Sequence, residues 1–240
     1  VNVRVDGCDK AYLRRPISIH VVDYQNNTID LLIQEKHEGT TKLCALPVGA
    51  TVNVVLPLGN GFTMPEKDDN VLLVGGGIGI APLLYFSRKI QSITLCKDAI
   101  HRVSFLLGGR TQSDLMLLDR FRNEGDVFIT TNDGSMGEKG FVTEHSLWKT
   151  MKINKIYACG PMPMMKAVAK LAREILKGNT RQILRDMRAE MELLASELRF
   201  EEAEEVKQKY VALDTFVSKS EVVSHTINDV DVFSITNDEK

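Results

Sequence analysis

A buried strand that runs directly into a glycine-rich loop is the feature that most constrains the fold. Residues 71–74 are continuously apolar, and the loop that follows reads Gly75-Gly-Gly-Ile-Gly-Ile-Ala-Pro82. Glycines at a strand-to-helix turn let backbone amides approach phosphate oxygens, and a proline suits the first helical turn. A purely structural turn is the alternative, but the flanking strand and helix favour a phosphate-binding loop.

Apolar strands and helices alternate after this loop. We predict helices at 83–93, 115–123, 142–150 and 162–176, and strands at 103–107, 127–131 and 155–158. This order is typical of a doubly wound parallel sheet. The loops that follow its strands, at 108–110, 132–137 and 159–163, are then expected at one edge of the sheet, where ligands bind.

The first 66 residues have a different pattern. Short β-branched segments at 1–5, 17–22, 28–34 and 51–56 are separated by turn residues. Such spacing predicts an antiparallel barrel or sandwich.

The composition changes at Gly178. All seven Pro, all four Cys and sixteen of the seventeen Gly precede it, and apolar residues then recur at helical spacing from Ile183 to Leu198. A second amphipathic run begins at Phe200, which predicts a helical hairpin and then an acidic, extended tail. The predicted domains are the antiparallel β domain, a Rossmann-like domain, the hairpin and the tail, at 1–66, 67–175, 176–219 and 220–240.

The overall charge and the cysteines exclude several classes of function. The net charge of −2 points to neither nucleic acid nor an anionic membrane. No apolar run approaches the ~18 residues of a membrane span. The cysteines, Cys8, Cys44, Cys96 and Cys159, lack metal-binding spacing. With no visible signal peptide, these features predict a cytoplasmic protein without a metal site.

Several polar residues are candidates for binding a phosphate or a planar ring. Arg15 and Ser18 suit a pyrophosphate, although adjacent arginines, here Arg14 and Arg15, are also common surface charges. Arg110 is either a phosphate ligand or a solvated surface arginine. Cys159 either contacts a planar ring or fills a small buried position. Gly39-Thr-Thr41 is either a phosphate-binding segment or a plain turn. The tight turn at Gly59 and Gly61 leads to Phe62, whose ring is a candidate for covering a planar ligand.

Taken together and in order, these motifs resemble a known family. It is the electron-transfer subunit of dihydroorotate dehydrogenase, within the ferredoxin–NADP reductase superfamily. The resemblance covers about residues 1–175 and rests on Arg15-Pro-Ile-Ser18, Gly39-Thr-Thr41, Pro57-Leu-Gly-Asn-Gly-Phe62, the 75–82 loop and Cys159-Gly-Pro161.

The resemblance implies hydride transfer from NADH to FAD and delivery of electrons to a catalytic partner subunit that oxidises dihydroorotate. It implies that Cys159 and Ser18 are the catalytic candidates. The implied cofactor-binding residues are Arg15, Pro16, Ile17, Ser18, Gly39, Thr40, Thr41, Gly59, Gly61, Gly76, Gly77, Gly79, Arg110, Asp133, Cys159, Gly160 and Pro161. The cofactors supply the reaction chemistry, and the protein supplies orientation and electrostatics.

The sequence departs from the family pattern in two ways. The family places four cysteine ligands of a [2Fe–2S] cluster after the Cys-Gly-Pro motif, whereas no cysteine follows Cys159 here. We therefore expect no cluster on these residues and an interrupted route for single electrons. The family also has barrel strands before the position of Val1, so a partial barrel is expected.

The C-terminal segment resembles a second family, namely the C component of the bacterial excision-repair nuclease around its UVR hairpin. The residues that carry this resemblance are Leu198-Arg-Phe-Glu-Glu-Ala203 and Ser220-Glu-Val-Val-Ser224. It implies a protein-interaction module that binds the B component of the same repair system through residues 179–216, without direct binding of nucleic acid. A generic charged helical pair is one alternative, and a non-functional chimera joined near Ile175 is another.

Overall fold

The computed structural model describes residues 1–8, 12–66, 69–97, 102–197 and 199–220. The chain forms two compact units, of which one comprises Val1–Val168 and the other begins at Ala169. Beyond Ser220, the acidic tail that we predict lies outside the described residues. None of the described helices is long and apolar enough to span a membrane.

Short antiparallel strands form the N-terminal part of the first unit. The elements are β1 (Asn2–Val3), β2 (Arg15–Pro16), β3 (Ile19–Asp23), β4 (Thr28–Leu31), α1 (Glu38–Cys44) and β5 (Val54–Val55). Strand β1 pairs with β2 on one side and with β5 on the other, while β3 and β4 form a separate hairpin. The predicted antiparallel strands are therefore present, although each is shorter than its sequence pattern.

Helix α1 replaces the plain turn that we considered at 39–41. The Thr40 hydroxyl accepts a hydrogen bond from the His37 amide at 3.1 Å and donates one to the His37 carbonyl at 2.9 Å. Leu43, one turn later, packs with Val3 and Val5 in a small apolar core. Glycine and threonine have low helix propensity, so capping and burial rather than local preference stabilise this helix.

A parallel five-stranded sheet organises the rest of the first unit, as predicted. In chain order its elements are β6 (Asn70–Gly76), α2 (Ala81–Lys97), β7 (Arg102–Gly109), α3 (Leu118–Arg122), β8 (Asp126–Thr131), β9 (Glu138–Lys139), α4 (Leu147–Thr150) and β10 (Lys155–Cys159). The strand order is β10-β6-β7-β8-β9. Single turns of 3-10 helix lie at Gly77–Ile80, Gln112–Asp114 and Val142–Glu144.

Two predicted helices are shorter in the structure. The helix expected at 142–150 is interrupted at His145, whose ψ of 139° is not helical. The Nδ1 atom of His145 accepts a hydrogen bond from the Leu147 amide at 3.0 Å. The helix expected at 115–123 begins at Leu118, because Leu115 and Met116 pack against the core before the chain turns at Leu117. Tertiary packing therefore overrides the periodicity at both places.

Each face of the sheet carries its own apolar core. Phe105 and Leu107 lie on the face that packs against α2 and against Phe121 of α3. Leu72 and Leu106 lie on the opposite face, where they pack with Leu147 of α4. A sheet buried on both sides explains why its central strands read as continuous apolar runs rather than as alternating ones.

The β3–β4 hairpin packs against the parallel-sheet region through polar contacts. Buried His20 donates its Nδ1 hydrogen to the carbonyl of Ala81 at 2.8 Å, at the start of α2. The Tyr24 and Tyr85 hydroxyls lie 3.1 Å apart, and Arg120 pairs with Asp30 at 3.0 Å. These contacts fix the antiparallel strands beside the glycine-rich loop.

The second unit is built from two long helices, as the periodicity predicts. Helix α5 (Met162–Ser196) begins in the first unit and continues without interruption through the predicted junction near Ile175, and α6 (Phe200–Ser220) follows after a short reversal. At the reversal Arg199 pairs with Glu197 at 3.0 Å and with Glu202 at 2.6 Å. Further along, Arg188 donates to the Tyr210 hydroxyl at 2.8 Å.

Neighbouring leucines offer a direct test of this hairpin. Leu194 is 8% exposed and Leu193 is 60% exposed. We expect Leu194→Ala to destabilise the helical unit by about 2–3 kcal/mol, because it leaves a cavity, whereas Leu193→Ala changes stability by less than about 0.5 kcal/mol. Urea unfolding followed by far-UV circular dichroism measures both variants. Equal effects would contradict the packing described here.

Candidate functional site

The carboxyl ends of β6 and β10 form the topological switch point of the parallel sheet. From β6 the chain moves outward through β7 and β8, and it returns on the other side of β6 as β10. The register places Cys159 opposite Gly75, so the two loops begin side by side. Ligands of open α/β sheets bind in the crevice beyond such a point.

Three glycines allow these loops to pack backbone against backbone. A Cβ added to Gly79 would collide with the carbonyl oxygen of Cys159 and lie 2.5 Å from the Cα of Gly160. One added to Gly160 would lie 3.1 Å from both the nitrogen and the oxygen of Gly76. One added to Gly76 would collide with the sulfur of Met164. Gly76, Gly79 and Gly160 therefore allow the close packing that shapes the crevice.

Gly77 has a different role in this loop. Its φ of +54° is a left-handed conformation that favours glycine, and an added Cβ would meet nothing within 4 Å. The chain reverses here from β6 into the 3-10 turn that leads to α2, a helix of 17 residues. Open space beside the start of a long helix suits an anionic group, because the first amides lack helical partners.

Cys159 lies at the other side of the crevice with a protonated thiol. Its side chain is half-buried, and burial raises the pKa of this thiol above its ordinary value. The neutral sulfur suits contact with a planar ring better than nucleophilic chemistry, which requires a thiolate. Pro161 follows in an exposed position just before α5.

Backbone hydrogen bonds connect the loops after β7 and β8. The Asn132 amide donates to the Gly109 carbonyl at 3.1 Å, and the Asp133 amide donates to the Arg110 carbonyl at 3.2 Å. Hydrogen bonds from Ser135, from its amide at 2.9 Å and its hydroxyl at 2.6 Å, lower the pKa of Asp133. The two loops thus form one polar edge with an ionised carboxylate at neutral pH.

Arg110 has an acidic partner that our sequence analysis did not identify. Its Nε and Nη2 atoms donate to the two carboxylate oxygens of Asp114 at 2.9 and 3.2 Å. Its backbone amide donates to the same carboxylate at 3.0 Å. A spacing of four residues predicts an ion pair only within an α-helix, and these residues lie in the loop and 3-10 turn after β7, so no signal for this pair was available in the sequence.

The candidate flavin-binding residues lie around β2 and α1. Arg14 is held by Asn53, donating to its carbonyl at 3.0 Å and to its side-chain oxygen at 2.6 Å. The Arg15 guanidinium has no hydrogen bond or ion pair among the residues that the structure describes. Ser18 is exposed two residues beyond Pro16. One of the two adjacent arginines is therefore structural, and the other is available to a ligand.

Residues 39–41 border the same small core as Ile17. Ile17 and Leu43 pack in one apolar cluster, which places the start of α1 and the end of β2 on a common support. Gly39 is buried and the Thr40 hydroxyl is used within the helical turn, whereas Thr41 is exposed.

Phe62 belongs to an aromatic cluster. Gly59 has a left-handed φ of +83°, and an added Cβ at either Gly59 or Gly61 would meet nothing within 4 Å. The Phe62 ring centroid lies 4.8 Å from that of Phe86 and 5.6 Å from that of Tyr157. Ring packing with Phe86 and Tyr157 holds Phe62 against the sheet, and contact of Phe62 with a planar ligand stays a prediction.

The described residues contain no group of three or more His, Cys, Asp or Glu side chains that could hold a metal ion.

Comparison with known proteins agrees with this architecture. Residues 73–170 match the oxidoreductase NAD-binding domain family. A solved structure of an NADH-dependent reduced ferredoxin–NADP oxidoreductase, described as a system for flavin-based electron bifurcation, superposes with a TM-score of 0.57 at 31% identity. That match covers 67% of this chain and 56% of the other.

Curated relatives are more specific. The dihydroorotate dehydrogenase B (NAD(+)) electron transfer subunit of Shouchella clausii is 39% identical over 176 residues, which are 72% of this chain and 66% of the relative. The protein of the same name from Fusobacterium nucleatum is 33% identical over 180 residues, 72% of this chain and 67% of the relative. This chain therefore spans about two thirds of each relative's length. With the NAD-binding domain and the crevice described above, these similarities show that the chain belongs to the family of dihydroorotate dehydrogenase B electron transfer subunits.

Proposed function

We propose that this chain is a flavin-dependent electron-transfer subunit that passes electrons from NADH through FAD to a dihydroorotate dehydrogenase catalytic subunit. In this proposal, delivery to the catalytic subunit is impaired, because no cysteine ligands for a [2Fe–2S] cluster follow Cys159. The observation that most supports the proposed electron transfer is the pairing of Cys159 and Gly160 with the glycine-rich loop at the switch point. When bound together, the nicotinamide donates a hydride and the flavin accepts it. The role of the chain is to orient both groups and to exclude water between them.

The residues at the sheet edge fit a nicotinamide dinucleotide. Gly77 leaves open space beside the start of α2, where the pyrophosphate would be held. In our proposal Cys159 and Gly160 line the nicotinamide side, with the uncharged thiol against the ring. The adenosine half then extends over the loops after β7 and β8, which contain Arg110 and Asp133.

The N-terminal residues fit the phosphates of FAD. Arg15 retains an unpaired guanidinium among the described residues, and a guanidinium matches phosphate oxygens in a bidentate way. Ser18 and Thr41 add exposed hydroxyls, while Gly39 and Thr40 shape the backbone of α1. Ser18 is also our candidate for a hydrogen bond to the flavin ring.

Binding and reduction of FAD by the full chain test the proposal. We expect added FAD to remain with the protein through gel filtration, and NADH to bleach its visible absorbance under anaerobic conditions. A folded chain that retains no FAD would overturn the flavin part. Retention of FAD without bleaching by NADH would overturn the electron-transfer part.

Arg15→Ala is expected to weaken FAD binding about tenfold or more, because one charge-assisted bidentate contact is lost. Titration of the apoprotein with FAD, followed by quenching of flavin fluorescence, gives the dissociation constants. Arg4→Ala is the matched control, since Arg4 pairs with Asp6 at 2.6 Å and is not a proposed flavin contact. Equal affinities of Arg15→Ala and the unaltered chain would exclude Arg15 from the site.

The helical hairpin supports a second candidate function. Helix α5 ends at Ser196 and α6 begins at Phe200, within the segment that resembles the UVR hairpin. We infer that residues 179–216 bind a protein partner, and the B component of the excision-repair nuclease is the partner that the resemblance suggests. Co-precipitation of that component with the full chain, lost on deletion of 179–216, is the expected result. Equal capture by both forms would contradict it.

A further inference from the structure

The polar edge beyond β7 and β8 carries charges of both signs. Arg110 would attract the 2′-phosphate that distinguishes NADPH from NADH, whereas the carboxylates of Asp114 and Asp133 would repel it. Hydrogen bonds between the loops, including Gln112 amide to Ser135 hydroxyl at 2.8 Å, hold these three residues on one edge. The effect of this edge on a 2′-phosphate would therefore depend on which of these charges are paired.

We propose that Asp114 is a specificity-determining residue that occupies Arg110 and, together with Asp133, makes the site reject a dinucleotide with a 2′-phosphate. This inference rests on the proposed binding of a nicotinamide dinucleotide. It assigns a role to Asp114, which is absent from the motifs that carry the family resemblance.

The geometry of the pair keeps the carboxylate in place. Arg110 is 82% exposed, and an exposed ion pair alone is weak enough for a guanidinium to exchange partners. Asp114 is held more firmly, because the backbone amide of Arg110 also donates to it at 3.0 Å. If the guanidinium turned toward a phosphate, the carboxylate would still lie beside it. In either orientation the positive charge of Arg110 therefore has the Asp114 carboxylate near it.

The protonation states support the same conclusion. Hydrogen bonds from Arg110 lower the pKa of Asp114, and hydrogen bonds from Ser135 lower the pKa of Asp133. Both carboxylates are ionised at neutral pH, so the three residues together carry one positive and two negative charges. Lys139, whose side chain lies against Gly134, is a further cation near this edge and is kept unchanged in the test below.

Two nucleotides that differ only in the 2′-phosphate provide the test. Adenosine 5′-monophosphate and adenosine 2′,5′-bisphosphate are titrated into the full chain by calorimetry, which requires neither FAD nor turnover. We expect the unaltered chain to prefer the monophosphate. Asp114→Asn should shift the affinity ratio about tenfold toward the bisphosphate, because the released guanidinium gains a charge-assisted partner.

Two further variants isolate the cause. Asp119→Asn removes an exposed carboxylate that pairs with Arg122 at 2.9 Å, and it should leave the ratio unchanged. Arg110→Ala in the Asp114→Asn background should abolish the gain if Arg110 is the phosphate ligand. Circular dichroism checks that each variant is folded.

The outcomes separate this inference from the function on which it rests. If the unaltered chain binds neither nucleotide, the dinucleotide proposal fails and the inference fails with it. If both bind and Asp114→Asn leaves their ratio unchanged, dinucleotide binding stands and the role of Asp114 is overturned. If the shift of the affinity ratio toward the bisphosphate persists when Arg110→Ala is added to Asp114→Asn, the role of Asp114 is also overturned.

Discussion

Gly79→Ala is expected to abolish measurable dinucleotide binding and to destabilise the first unit by about 2–3 kcal/mol. The added methyl group would collide with the Cys159 carbonyl and lie 2.5 Å from the Cα of Gly160. Backbone atoms cannot yield as a flexible side chain can, so the glycine-rich loop and the end of β10 must separate. Calorimetric titration with adenosine 5′-monophosphate and NADH, together with urea unfolding, measures both effects.

Gly61→Ala is the matched control for stability. Its added methyl group meets nothing within 4 Å, so we expect a change in unfolding free energy below about 0.5 kcal/mol. If Gly79→Ala bound nucleotide as the unaltered chain does, the close approach of these loops would not matter for the site. The proposed crevice would then be wrong.

Phe86→Ala is expected to destabilise the first unit by about 3–5 kcal/mol, the largest stability effect of any change considered. Phe86 is 6% exposed, and its ring centroid lies 4.7 Å from that of Tyr157 and 4.8 Å from that of Phe62. Its removal leaves a cavity where α2, β10 and the turn after the antiparallel strands meet. Urea unfolding followed by tryptophan fluorescence gives the free-energy change.

Tyr157→Phe keeps this ring cluster and removes one polar contact. The Tyr157 hydroxyl donates to the Thr63 carbonyl at 2.7 Å, and its loss should destabilise by only about 1 kcal/mol. Burial raises the pKa of Tyr157 from 10.0 to about 12, so the folded state holds this proton more tightly than the unfolded state. Stability should therefore fall as the pH rises from 10 to 12, and Tyr157→Phe should reduce that fall. An equal loss of stability in Phe86→Ala and Tyr157→Phe would contradict the packing argument.

Most of the parallel sheet could be predicted from the sequence. A strand buried on both faces needs a continuous apolar run, and β6, β7 and β10 each follow such a run closely. The hairpin could be predicted for a similar reason, because an amphipathic helix needs apolar residues at helical spacing along one side. In both cases the signal is local and repeats along the chain.

Helix α1 and the interrupted helix at His145 could not be predicted in this way. Both depend on a single side chain that bonds to nearby backbone, Thr40 in one case and His145 in the other. The free energies of such side-chain-to-backbone hydrogen bonds are close to those of helix propensity. Burial therefore decides which local structure forms. The short strand β9 was missed because only two of its residues pair with β8.

The sequence alone therefore determined the order of strands and helices, the positions of the loops at the ends of the strands and the resemblance to the family. Only the tertiary structure showed which charged groups are available to a ligand. Arg14 is bound to Asn53, Arg110 is bound to Asp114, and Arg15 is left without a partner among the described residues. The physical reason is that periodicity reports burial along one segment, whereas the state of a charge depends on which distant groups the fold brings within hydrogen-bonding distance.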